Sequence, residues 1–208
     1  MLFLLFGASC SGKTTILEEL RRRETGLAIH DHDEIGVPPA PDTAWRQRTI
    51  EEWLQRVLDY QVQGVDVVLA GQTPFAELFA EPSAPLLEGA VGCLVDCDDD
   101  TRNRRLDHVA ATERWWKTTP YSRQDYLEWA ALMRRHAHDP QHGLDVVRAN
   151  AWPEMHWERL EGLTAEDPRW RVQIVDTTAT SPTAAADEVL AWIERARGPG
   201  DRGPSLRS

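Results

Sequence analysis

An apolar run that breaks into a glycine loop and resumes as an amphipathic helix constrains this chain more than any other feature. Residues 2–6 are continuously apolar, and residues 7–14 read Gly-Ala-Ser-Cys-Ser-Gly-Lys-Thr, fitting the pattern GxxxxGK[ST]. Beyond the loop, Ile16, Leu17 and Leu20 recur at helical spacing, and Gly26 is well placed as a stop. A strand that turns through glycines into a helix brings backbone N–H groups and a helix N-terminus to one point, which is a cradle for phosphate. The cradle is expected to run over Gly7, Ala8, Ser9, Cys10, Ser11, Gly12, Lys13, Thr14 and Thr15. Lys13 would reach the β and γ phosphates of a nucleoside triphosphate, and Thr14 would offer its hydroxyl to magnesium. Lysine occurs only at Lys13 and Lys117 in a chain that otherwise uses arginine, so its presence in this loop calls for a chemical reason. Cys10 sits where aligned N–H groups can lower a thiol's pKa, but a small residue filling a variable position explains it as well, and no reactivity is assigned to it.

The rest of the chain alternates apolar runs with helical periodicity. Strands are expected at 27–29, 65–70, 91–96 and 172–175. Between them, a long amphipathic helix follows the cap Asp42 to Gly64, a second follows Asp98, a third starts at the cap Ser122 and ends before Pro140, and a last one opens at Ser181-Pro182. This order predicts an α/β fold, a five-stranded parallel sheet with helices on both faces. One domain is expected over 1–197, including a helical lid or substrate-cap insertion at 107–171, with a disordered tail at 198–208. The opening MLFLLF lacks a basic leader and is too short for a signal segment or a membrane span. Three cysteines without CxxC spacing argue against a disulfide framework, and a cytoplasmic setting is expected. A net charge of -11 gives no footprint for nucleic acid or anionic lipid, leaving a small molecule as the expected partner. Nothing in the sequence sets an oligomeric state.

Strand 2 leads into His30-Asp31-His32-Asp33, and strict alternation would place Ile29, Asp31 and Asp33 on one side and His30 and His32 on the other. Two carboxylates beside a phosphate cradle can hold magnesium through water and accept the proton of an attacking hydroxyl. A solvated turn with Asp33 capping a short helix is the competing reading. The two histidines lack a third ligand for a transition metal. Strand 3 ends in Gly71-Gln72-Thr73 without the carboxylate that often supports magnesium, which shifts that role to Asp31. Gln72 either hydrogen-bonds a substrate or builds a turn with Pro74. Trp115 and Trp116 either fill the core of the insertion or stack on a substrate beside the cations Arg114, Lys117 and Arg123.

On these residues the chain resembles the small P-loop kinases, a group that includes shikimate kinase, gluconate kinase, chloramphenicol phosphotransferase and the nucleoside monophosphate kinases. The segment 29–35 is similar to the DxD segment of shikimate kinase, and the resemblance implies that Asp31 supports magnesium while Asp33 binds the acceptor hydroxyl. It also implies that Arg105 stacks on adenine, that Arg114 is the lid arginine and that Thr177 lies in a base-contacting loop. The function so implied is that of an ATP-dependent kinase that uses Mg2+ to phosphorylate a hydroxyl of a small molecule such as a nucleoside, sugar or natural product. A nucleotide-hydrolysing switch acting on a protein partner and a polynucleotide-end kinase are the alternatives. The acceptor site should comprise Asp33, Arg46, Gln72 and Trp115, and it should refuse a nucleoside monophosphate unless Arg46 and Arg48 turn inward as an anion clamp.

Overall fold

A computed structural model describes residues 1–117 and 119–198, with the backbone alone for Arg114 and Trp115. The expected tail therefore falls outside the described residues apart from Gly198. Five parallel strands, β1 (Leu2–Phe6), β2 (Ala28–Asp31), β3 (Val67–Gly71), β4 (Ala90–Asp96) and β5 (Val172–Asp176), form one sheet in the order β2-β3-β1-β4-β5. The connecting helices are α1 (Lys13–Arg21), α2 (Thr43–Val62), α3 (Phe75–Ala80), α4 (Asp99–Thr112), α5 (Arg123–His138), α6 (Leu144–Arg148) and α7 (Pro182–Ala196).

The central position of β1 explains why its sequence shows no polar alternation. Leu2, Leu4 and Phe6 face a layer containing Trp53 and Val57 of α2, Phe75 of α3 and Met133 of α5. Phe3 and Leu5 face Leu17 and Leu20 of α1 and Val189 and Ile193 of α7. A parallel strand covered on both faces must be apolar throughout. Each such side chain, fully removed from water, contributes about 1.5–3 kcal/mol relative to exposure.

The expected helix starts hold at the level of individual caps. Asp42, Asp98, Ser122 and Ser181 each accept a hydrogen bond from a backbone N–H in the first turn of the helix that each precedes. α3 has no counterpart among the expected helices. All six of its residues are buried, so it lacks the polar stripe by which a short helix is recognised. Within the segment 107–171, Met133, Ala137, Leu144, Leu160, Leu163 and Trp170 belong to the core on the α2 side of the sheet. Those residues make part of that segment a wall of the domain.

Burial also creates a pH-sensitive element. Glu81, at the end of α3, is wholly buried, and neither of its carboxyl oxygens has a hydrogen-bond partner among the described residues. Burial, reinforced by Glu77 and Glu51, pushes its pKa from 4.5 up to about 10. The folded state thus holds a proton that the unfolded chain releases above about pH 4.5, so this contribution is complete at low pH and is lost as pH rises toward 10. The slope reaches at most about 1.4 kcal/mol per pH unit. Glu81→Gln, which stays neutral, should raise stability at pH 8 by about 2–4 kcal/mol and leave it nearly unchanged at pH 4.5. Urea titrations of both proteins across this range check the expectation, and parallel pH profiles would refute it.

Candidate active site

The loop between β1 and α1 takes the shape its glycines permit. Gly7 has φ 155°, and a Cβ there would lie 2.2 Å from the Val95 carbonyl oxygen, so no larger residue fits. Gly12 precedes α1 with φ 101°, and Cys10 itself adopts φ 63°. Lys13 Nζ donates to Gly7 O (2.8 Å), Ala8 O (3.0 Å) and Ser11 Oγ (3.4 Å). Desolvation lowers its pKa to about 8, against the opposing pull of Asp31 and Asp33. Ser9, Cys10, Ser11, Gly12, Thr14 and Thr15 border the cleft with Lys13. Gly7 and Ala8 are not among the residues that border it, and their carbonyl oxygens accept from Lys13.

The back of the loop is held by arginines. Fully buried Arg102 donates to Ser9 O and to the Asp96 carboxylate, whose other oxygen accepts from Arg134 of α5. Asp96 is therefore spent on two guanidinium groups. Arg105 donates to Cys10 O (3.0 Å), to Thr177 Oγ1 (2.9 Å) and to Thr177 O (2.8 Å), while the Thr177 hydroxyl donates to Ser11 O (2.7 Å). Both residues line the cleft, and their polar atoms shape the loop. Burial raises the Cys10 thiol's pKa, against the arginines and Lys13 nearby, in keeping with an unreactive loop residue.

The two aspartates reach the cleft by a different route from strict alternation. β2 ends at Asp31, which caps a short 3-10 helix (His32–Ile35) by accepting from Asp33 N (3.1 Å). Asp33 thus stands on the turn and not on the strand, with a side chain 68% exposed. The expected capping role belongs to Asp31, whose pKa is raised chiefly by burial. The histidines also separate. His30 lies between Glu34 Oε2 (2.8 Å) and Tyr60 Oη (3.0 Å), whereas His32 is buried against Gly71 and Trp45. Among the described residues, no group of three His, Cys, Asp or Glu side chains is placed to hold a metal.

These groups border one cleft of about 1920 Å³. One half carries the loop, Arg104, Arg105 and Thr177. The other carries Asp31, Asp33, Trp45, Arg46, exposed Gln72, Tyr121 and Trp129, while Tyr126 lies within electrostatic reach of Cys10 of the loop. Arg46 does not extend freely into this half: its Nε and Nη2 pair with buried Glu77 at 2.8 and 2.7 Å, and it lies over the Trp129 ring. Named as an acceptor-site residue and as half of a conditional anion clamp, Arg46 instead has its Nε/Nη2 edge taken up by Glu77. Arg48 is absent from the lining. Arg114 and Trp115 lie on a 3-10 turn (Arg114–Lys117), and their side chains fall outside the described residues. Sequence reasoning missed Trp45, Trp129 and Tyr121 as wall residues, and Glu77 altogether. The one available signal was a lone carboxylate in the apolar stretch Phe-Ala-Glu-Leu-Phe-Ala.

No protein-family model matches the chain, and no curated protein matches it in sequence. Among solved structures, a sugar kinase from Janibacter sp. HTCC2649 aligns with a TM-score of 0.55 at 16% identity over 92% of this chain and 93% of that one. A protein assigned as a kinase from Chloroflexus aurantiacus aligns with a TM-score of 0.53 at 15% identity, covering 91% and 96%. The α/β architecture, a five-stranded parallel sheet flanked by helices, is thus shared with these two structures. Among the described residues, no helix is long and apolar enough to cross a membrane.

Proposed function

We propose that this chain is an ATP-dependent phosphotransferase that moves the γ-phosphoryl group to a hydroxyl of a small molecule, a nucleoside, sugar or natural product. The observation that carries the reading is the two-part cleft, with the lysine-bearing loop in one half and Asp31 and Asp33 with aromatic walls in the other. A protein that only hydrolysed nucleotide would have no use for the second half. Loop N–H groups and Lys13 orient the triphosphate and take up charge as the γ-phosphoryl group departs. Asp33, exposed on its turn, accepts the proton of the acceptor hydroxyl. Thr14 and Asp31 supply hard oxygen donors on the cleft wall, suited to magnesium shared with substrate phosphates, which is how that ion is usually held. Bound there, magnesium would neutralise charge on the phosphates. Arg114 would enter as the lid arginine and Trp115 as a stacking surface when 107–171 closes over both ligands.

Acceptor-dependent ADP release across a panel of alcohols tests this directly. The proposal expects release to rise at least about tenfold above the acceptor-free rate for some member of the panel. ATP hydrolysis that no alcohol stimulates, but a protein fraction does, would support the switch reading instead.

A further inference from the structure

On the phosphotransfer reading, on which this inference rests, the acceptor half of the cleft contains an arginine that has been stripped of its ordinary use. Arg46 is the guanidinium that lines this half among the described residues, Arg104 and Arg105 being on the nucleotide side. A free arginine in such a place would grip an acceptor's phosphate or carboxylate through a forked pair of N–H groups. Here the Nε/Nη2 edge is occupied by both oxygens of Glu77, a residue with no exposed surface, while the Arg46 side chain keeps 18% exposure. The pair is fixed from a second direction, because Gln47 Nε2 donates to Glu77 Oε1 at 2.8 Å. Gln47 is itself held by Trp152 N, which donates to its Oε1 at 2.7 Å. Arg46 is the ion-pair partner of Glu77, and turning it toward a ligand anion would leave a buried carboxyl group without that partner. The charged groups that line the cleft from β2, its turn and the start of α2 are otherwise carboxylates, Asp31, Asp33 and Asp42. Trp45 and Trp129 add flat apolar wall.

We propose that Glu77 is a specificity-determining residue: by matching the charge of Arg46 it prevents the acceptor half from holding an anion, so the acceptor is a ring alcohol that is uncharged or carries an amine. Phosphorylated and carboxylated alcohols are refused. The donors left on Arg46 serve a neutral oxygen, and the surrounding carboxylates favour an ammonium group over an anion.

The test first fills the cradle with magnesium and a nonhydrolysable ATP analogue, so that an added anion has only the acceptor half to enter. Inorganic phosphate is then titrated by calorimetry and by intrinsic fluorescence, to which Trp45 and Trp129 on the cleft wall contribute among nine tryptophans. Wild-type protein should take up no phosphate in the low millimolar range. Glu77→Gln keeps the size of the side chain and should bind phosphate at least about tenfold more tightly, a gain that the further change Arg46→Gln abolishes. Submillimolar phosphate binding by the wild-type analogue complex would overturn the proposal. So would an unchanged phosphate affinity in a Glu77→Gln protein with normal melting and analogue binding. Should that variant fail to fold, the wild-type titration and turnover of matched alcohol and phospho-alcohol pairs still decide, since preference for the phosphorylated member sinks the idea. Failure of the analogue itself to bind wild-type protein would count against the phosphotransfer reading and not against the role of Glu77.

Discussion

Lys13→Ala is expected to lower acceptor-dependent ADP release by at least about 10²–10³-fold while leaving the melting temperature within a few degrees of wild type. The lysine contributes nothing to either side of the core, and its three hydrogen bonds are all to its own loop. Removing it leaves Gly7 O and Ala8 O without that donor, so a modest loosening of the loop is expected, short of unfolding. The catalytic loss is larger because a positive charge held beside the γ-phosphate stabilises the transition state in a partly dehydrated cleft, where electrostatic effects are less screened than in water. Single-turnover rates with saturating ATP, beside thermal melts of both proteins, separate the two effects. Near-wild-type turnover in a well-folded variant would remove Lys13 from the mechanism.

Loss of Asp33 should be nearly as damaging, and different in kind from loss of Asp31. Asp33→Asn is expected to reduce kcat by about 10²–10⁴-fold with little change in the magnesium requirement, because it removes a proton acceptor. Asp31→Asn should instead move the magnesium titration to higher concentration, with turnover partly restored by excess metal. Asparagine is the right replacement at 31, since it keeps an oxygen that can cap the His32–Ile35 turn by accepting from Asp33 N. Burial raises the Asp31 pKa, so its support of the metal is present above that raised value and is lost as pH falls through it. Wild-type enzyme should accordingly need more magnesium at acid pH, and Asp31→Asn should need the same amount throughout. Indistinguishable magnesium titrations for the two variants would rule out this division of labour.

The strand, loop and helix at the N-terminus were legible because local rules act alone there. Five apolar residues, glycines where the backbone must curl, and apolar side chains at helical spacing all fall within 20 residues of one another. Helix starts were equally local, since Asp42, Asp98, Ser122 and Ser181 each cap through a hydrogen bond to a residue three positions on. The parallel α/β sheet came from the alternation of these elements. Asp33 marks where local rules stop: period-two alternation extends a strand indefinitely, whereas the chain turns once Asp31 finds a backbone donor.

What the sequence could not disclose was how charges separated along the chain would cancel. Arg46 and Glu77 stand 31 positions apart, and Asp96 meets Arg134 across 38. Each reads in isolation as a free ionic group. Whether an arginine clamps a ligand or is matched by a buried carboxylate depends on which side chain the fold brings within 3 Å of it, and coulombic energy at that range outweighs any local preference. The motif determined that a glycine loop bearing a lysine stands between a strand and a helix. Tertiary packing alone decided that Arg46, on the cleft wall, stands paired with a buried carboxylate, because only the docking of α3 against α2 carries Glu77 to it.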